Sequence, residues 1–258
     1  GTVTPITLGR NGLGLGSGLH EIDPADMPVK QEGDGKSPAG AFRLSSAFGY
    51  AAVEQLDNLE IPYTHVTELL ECVDDVKSGY YNQVVLRDGV DEVDWESSEQ
   101  MLMDGIWYEK GIVVDHNSDP VIPGAGSCIF LHNWSGPEDT TAGCTAMAPP
   151  ALTEMVYWLD SDADPVLVQL TESLYEEFHT VWGLPGPISI DKRGLHQGPP
   201  VLRSLPGGPP SGADRTRQHR SRPGTKRRGD GPRGRSDLQG LRREPAHAGL
   251  RLRSRSGW

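Results

Sequence analysis

Apolar positions in the first 190 residues fall mostly in short runs separated by clusters of Gly, Pro, Asn, Asp and Ser. Short runs rich in β-branched and aromatic residues predict buried strands. They include Ala41-Phe42-Arg43-Leu44, His65-Val66-Thr67, Gln83-Val84-Val85-Leu86, Cys128-Ile129-Phe130-Leu131 and Pro165 to Leu170. A longer one runs from Tyr108 to Asn117 around Ile112-Val113-Val114. Helical spacing is rarer. After Pro149-Pro150, which a first helical turn tolerates, Leu152, Met155, Val156 and Leu159 recur on one face. A second helix is expected from Asp94 to Met103, capped by Asp94 or Ser97, with Met101 and Leu102 inward. A short segment with Leu174 and Phe178 begins at Thr171. The pattern predicts a mostly β domain over residues 1–188, a twisted sandwich or barrel-like sheet with two or three helices.

Charge divides the chain in two. Residues 1–190 hold seven Lys and Arg against 31 Asp and Glu, a net of −24. Residues 191–258 hold 17 against five, a net of +12, so the whole chain stands at −12. An acidic surface of that density disfavours polyanionic partners, and no nucleic acid is expected on the folded part. The basic segment holds fifteen arginines, twelve glycines, eight prolines and one aromatic residue, Trp258. Such text cannot bury enough apolar surface to offset its ordering entropy, so residues 189–258 are expected to be disordered. Its two readings are a basic arm for anionic polymers and a non-native extension; the lack of periodicity fits the second better. No stretch approaches the length of a membrane span, and no targeting segment is visible.

The glycines at 12, 14, 16 and 18 lack the strand, helix and Gly-Lys-Ser/Thr of a phosphate loop, and predict a surface loop. Adjacent Asp74 and Asp75 read as a solvated turn rather than an acid–base pair. His116, at a strand end, reads as exposed. Tyr80, Tyr81 and Asn82 form an amphipathic cluster able to wall a peptide groove, with partial core burial as the alternative.

Chemistry concentrates between Ser127 and Met147. His132 ends a strand, a polar loop follows, and the loop closes on Thr141-Ala142-Gly143-Cys144. A thiol becomes a nucleophile as the thiolate, and an imidazole within reach can take its proton. A glycine before the cysteine permits unusual backbone angles and lets N–H groups converge on a developing oxyanion. The alternative is a buried cysteine acting as a small hydrophobe.

This stretch resembles the catalytic segment of the L,D-transpeptidase (YkuD-like) family, in which a histidine after a strand precedes Ser/Thr-His-Gly-Cys. Lys30-Gln31-Glu32-Gly33-Asp34-Gly35-Lys36-Ser37-Pro38-Ala39-Gly40-Ala41-Phe42 is similar to that family's upstream signature. The resemblance covers roughly residues 1–188. It implies Cys144 as nucleophile, His132 as base or orienter and Gly143 in the catalytic turn. It also implies peptidoglycan stem peptides as substrate, no cofactor or metal, and a place in the cell envelope. Lys36, Tyr81, Asn133 and Thr141 are the candidate substrate contacts. The chain departs from the pattern at Ala142, where the family has a second histidine, and at Thr145-Ala146-Met147, where many members carry an arginine.

Three other functions stay open at this level. One is a carboxypeptidase-type hydrolase using the same thiol. Another is a wall-peptide binder without turnover. The third is a zinc site from Cys72, Cys128, His132 and Cys144. A Cys72–Cys128 pairing that leaves Cys144 free is possible and undecided.

Overall fold

A computed structural model of the chain describes residues 3–21 and 27–187 and the backbone of 248–251. Its organising strand is Ser37–Gly49, thirteen residues long. In chain order the strands are β1 (Ile6–Thr7), β2 (Leu13–Leu15), β3 (Ser37–Gly49), β4 (Tyr63–His65), β5 (Leu70–Val73), β6 (Val84–Leu86), β7 (Ser98–Gln100), β8 (Lys110–Val114), β9 (Phe130–Asn133), β10 (Thr145–Met147), β11 (Val166–Thr171) and β12 (Ala248–Arg251). Among the described residues two α-helices accompany them, α1 (Pro149–Trp158) and α2 (Glu172–Phe178). The domain is mostly β, as the run lengths predict.

Strand β3 changes partners along its length. Its first half lies beside β2 and β11, its second beside β8 and β4, with a register shift between Leu44 and Ala47. The main sheet runs β1-β10-β9-β8-β3-β11-β12, with β2 and β4 also on β3. A smaller sheet, β6-β5-β7, is inserted between β4 and β8.

Alternation along β9 and β10 sends side chains to two cores. Ile129, Leu131 and Met147 face an aliphatic core shared with Leu44, Ile112 and Leu167. Helix α1 closes it with Leu152, Met155 and Val156. Burying each such side chain contributes about 1.5–3 kcal/mol. Cys128, Phe130 and Cys144 face the second core with Phe48, Leu70, Cys72, Met101 and Tyr108.

Three expectations change. Asp94–Met103 forms no helix: its centre is β7, paired with β5. The reason is Glu71 on β5, 1% exposed, whose carboxylate accepts from Trp95, Ser98 and Gln100 as well as Arg87. Burial pushes that carboxyl up, and the Ser98, Trp95 and Arg87 hydrogen bonds outweigh it and hold it below its ordinary value. The glycine stretch is no surface loop, since Leu13–Leu15 is a buried strand on β3. A Cβ at Gly18 would lie 2.3 Å from Ala41 O, so only glycine lets this backbone approach so closely. His116 is buried rather than exposed, between the backbones of Ser17 and Ala125. Asp75 does behave as a turn cap, accepting from the amides of Lys77 and Glu96. The expected disordered tail lies outside the described residues, apart from Ala248–Arg251, which extend the sheet at β11.

Candidate active site

Strands β9 and β10 run parallel, with Leu131 opposite Thr145 and His132 opposite Ala146. This register seats Cys144, just before β10, beside Phe130. The Phe130 N–H points at Cys144 Sγ at 3.4 Å, and the sulfur lies 3.5 Å from Cys128 O. Phe130 and His132 are two apart on β9 and share its face. The Tyr108 ring meets both, edge-on, at 5.6 Å and 5.4 Å between centroids. Tyr108 and Cys144 lie in the same buried cluster, and the Tyr108 hydroxyl donates to Glu99. Tyr108 therefore packs against the histidine and shares the thiol's buried cluster.

His132 is held in one tautomer. Its Nδ1 stands 2.7 Å from Asn133 O. A carbonyl oxygen only accepts, so Nδ1 carries the proton and Nε2 keeps its lone pair. Burial pushes the His132 pKa below its ordinary value, against the Asn133 carbonyl's pull, and so favours the neutral ring. A neutral ring with a free lone pair can accept a proton. Burial pushes the Cys144 thiol up to about 12, and the Glu99 charge adds to it. The Phe130 amide, Tyr108 and Lys30 act in the opposite direction.

The turn before the cysteine is tightly bonded. Thr141 Oγ1 donates to Cys144 O at 2.6 Å and accepts from Gly143 N at 3.2 Å. Ser37 Oγ also donates to Cys144 O, at 2.8 Å, linking the two signature segments. Gly143 does not take a left-handed φ, contrary to the expectation of unusual backbone angles. Space favours glycine here: a Cβ would lie 3.2 Å from Lys36 O and 3.3 Å from Ile129 Cδ1, so its neighbours would have to give by a few tenths of an ångström.

The remaining candidates are dispersed. Lys36 abuts Gly143 through its carbonyl, and its side chain passes Gly14. Asn133 is buried; its Nδ2 donates to Ile106 O at 2.8 Å, and its Oδ1 has no hydrogen-bond partner among the described residues. Tyr81 is buried; its hydroxyl donates to Glu32 at 2.5 Å and accepts from Gly126 N at 3.2 Å. Asn82 beside it has a structural role, since its Oδ1 accepts from Cys128 N at 2.9 Å. That bond steadies Cys128 at a φ of 54°. Sequence reasoning missed Tyr108, Glu99 and Lys30 near the thiol. Lys30 lay in view, because it opens the upstream signature. Its Nζ bonds Asp34 at 2.8 Å and stands 3.8 Å from where a Gly143 Cβ would be. Burial raises the Asp34 carboxyl, and the Lys30, Gln31 and Lys36 hydrogen bonds outweigh it, keeping it low.

Cys72 and Cys128 are joined as a disulfide, and Cys144 is the free thiol. The zinc reading loses two of its four ligands to that bond. Among the described residues no group of three His, Cys, Asp or Glu side chains is arranged to hold a metal.

The family model for the L,D-transpeptidase catalytic domain (YkuD) matches residues 2–168. The chain belongs to the L,D-transpeptidase catalytic domain family. The matched span runs from β1 into β11 and contains both signature segments. Neither the curated proteins nor the solved structures compared with the chain gave a match.

Proposed function

We propose that this L,D-transpeptidase-family domain is a cysteine acyltransferase acting on peptidoglycan stem peptides, with Cys144 as nucleophile and His132 as base. The observation that carries the reading is the free thiol seated beside Phe130, two residues along β9 from a histidine whose tautomer is fixed. His132 Nε2 takes the thiol proton, and Cys144 Sγ attacks the carbonyl of a diamino acid that precedes a terminal D-alanine. The proton returns to the departing D-alanine amine, leaving a thioester on Cys144. An amine from a second stem peptide resolves the thioester and forms the cross-link. Gly143 and Thr141 hold the turn that presents the thiol, and the Lys36 carbonyl abuts it.

A cell-envelope location suits the family's substrate and the Cys72–Cys128 bond, because structural disulfides persist in oxidising compartments. No helix among the described residues is long and apolar enough to cross a membrane.

Intact mass after incubation with a carbapenem tests the proposal. The unaltered protein should gain one acyl adduct, and Cys144→Ala none. His132→Ala should acylate on the order of 10²–10⁴-fold more slowly, the usual contribution of a general base. Absence of an adduct on the folded, unaltered protein would overturn the reading.

A further inference from the structure

The upstream signature reaches the catalytic turn through a buried lysine that the mechanism above does not use. Lys30 is only 4% exposed. Three glycines clear its path. A Cβ at Gly14 would lie 3.2 Å from Lys30 Cα, and one at Gly126 would lie 3.1 Å from Lys30 Cγ and 3.2 Å from Cε. At the far end, Nζ stands 3.8 Å from where a Gly143 Cβ would be, and Gly143 immediately precedes Cys144. Nζ donates to Gln31 O and to Asp34 Oδ1, each at 2.8 Å. The carboxylate that anchors it is itself fixed by the amides of Gln31 and Lys36.

We propose that Lys30 is a positioning residue of the catalytic turn: its buried ammonium holds a fixed positive charge against Gly143 and so favours the anionic form of the adjacent Cys144. This rests on the reading of Cys144 as nucleophile. Stability alone gives the arrangement little reason. A buried ion pair roughly balances its own desolvation cost, and apolar side chains of similar volume commonly do as well. Each glycine that admits the lysine adds backbone freedom to the unfolded chain. A positive charge near a thiol, by contrast, lowers its pKa and raises its thiolate fraction. The direction agrees at Cys144: burial and then the Glu99 charge push the thiol up to about 12, and the Lys30 charge works against them.

The groups packed around the lysine leave its charge dominant there. A Cβ at Gly126 would lie 3.0 Å from His116 Nε2, so that ring borders the same path. Burial lowers the His116 pKa to about 4, and the ring adds no charge at neutral pH. Lys36 passes Gly14 with its side chain and abuts Gly143 with its carbonyl. Among the described residues Asp34 is the one carboxylate paired with the Lys30 ammonium. Removing either member of the pair changes the net charge beside the turn, in opposite directions.

The test is the rate of alkylation by iodoacetamide against pH, followed by intact mass with the disulfide intact. The chain has three cysteines and two are paired, so the added mass reports Cys144 alone. Lys30→Met keeps an unbranched stem and removes the charge. It should move the midpoint of the profile up by about one pH unit, making alkylation at neutral pH about tenfold slower. Asp34→Asn breaks the same ion pair but leaves the ammonium uncompensated, and should make alkylation faster. A merely structural ion pair would move both variants the same way, because each loses the same contact. Opposite shifts support the proposal; shifts of one sign, or an unmoved Lys30→Met, overturn it. If Lys30→Met does not fold, Asp34→Asn decides alone: a faster reaction supports the proposal, and an equal or slower one overturns it. A carbapenem adduct on the unaltered protein without opposite shifts sinks this role of Lys30 and leaves the acyltransferase standing. Opposite shifts without an adduct do the reverse.

Discussion

The two faces of the main sheet use the same strands for different ends. On the α1 side, Ile112, Leu131 and Met147 meet Leu152 and Val156, and these side chains are all apolar. On the other side, the alternate residues Cys144, Phe130 and His132 meet Tyr108, itself bonded to Glu99, and a disulfide. The period-two alternation of a strand makes this division possible: one residue holds the sheet to its helix while the next serves the site. Stability and chemistry are therefore separable by substitution, residue by residue, along β9 and β10.

The disulfide is the largest single lever on the site face. It ties β5 of the inserted sheet to the segment entering β9 and closes a loop with a sequence separation of 56 residues. Cross-links of that span restrict the unfolded chain by about 4 kcal/mol in the chain-entropy account. Cys72→Ser with Cys128→Ser should lower unfolding free energy by about that amount in urea titrations. It should also loosen the sheet that carries Glu99, so the effects on stability and on Cys144 reactivity should appear together. Thiol reactivity unchanged in the double variant would show that the inserted sheet holds its place without the bond.

Leu131→Ala probes the opposite face with one residue between the two cores. Leu131 is fully buried, and such truncations cost about 3 kcal/mol. Denaturant unfolding should show that loss, while the pH midpoint of Cys144 alkylation stays where it is. A shifted midpoint would mean that the faces are coupled through the β9 backbone rather than separable.

How far the sequence disclosed this division depends on distance along the chain. The runs centred on Val84, Ile112 and Leu167 announced their strands because β-branched and aliphatic clusters need no partner to be recognised. Cys144 and His132 were legible for a similar reason: they lie in one short segment with a family signature. β7 was not legible, because Ser98–Gln100 becomes a strand through the Glu71 hub on β5, which no local pattern encodes. Glu99 and Tyr108 were likewise hidden, lying 45 and 36 residues before the cysteine near which they pack. His132 was placed one step early, at a strand end, whereas β9 continues through it to Asn133.

The comparison sharpens in the two buried histidines, and with it the smallest of the expected effects. Both rings are pushed toward neutrality by burial. His132 makes its backbone bond through Nδ1, and its ring lies against Tyr108 at the site. His116 has both ring nitrogens against backbone groups, at Ser17 and Ala125, and packs edge-on to Phe42 of the aliphatic core. A ring engaged at both nitrogens is built for structure. Its pKa falls from 6.5 to about 4, chiefly through burial, with the Lys30 charge adding, against the pull of the Ala125 and Ser17 backbones and of Asp34. The unfolded chain therefore binds a proton at His116 before the folded one does. The stabilisation is present above pH 6.5 and is lost as pH falls toward 4. By pH 5 the loss should reach about 2 kcal/mol. Urea unfolding at stepped pH should show this slope in the unaltered protein and a shallower one in His116→Gln, which cannot titrate. Equal slopes would mean that water reaches the ring in the folded state, and His116 would then lose its claim to belong with the apolar face.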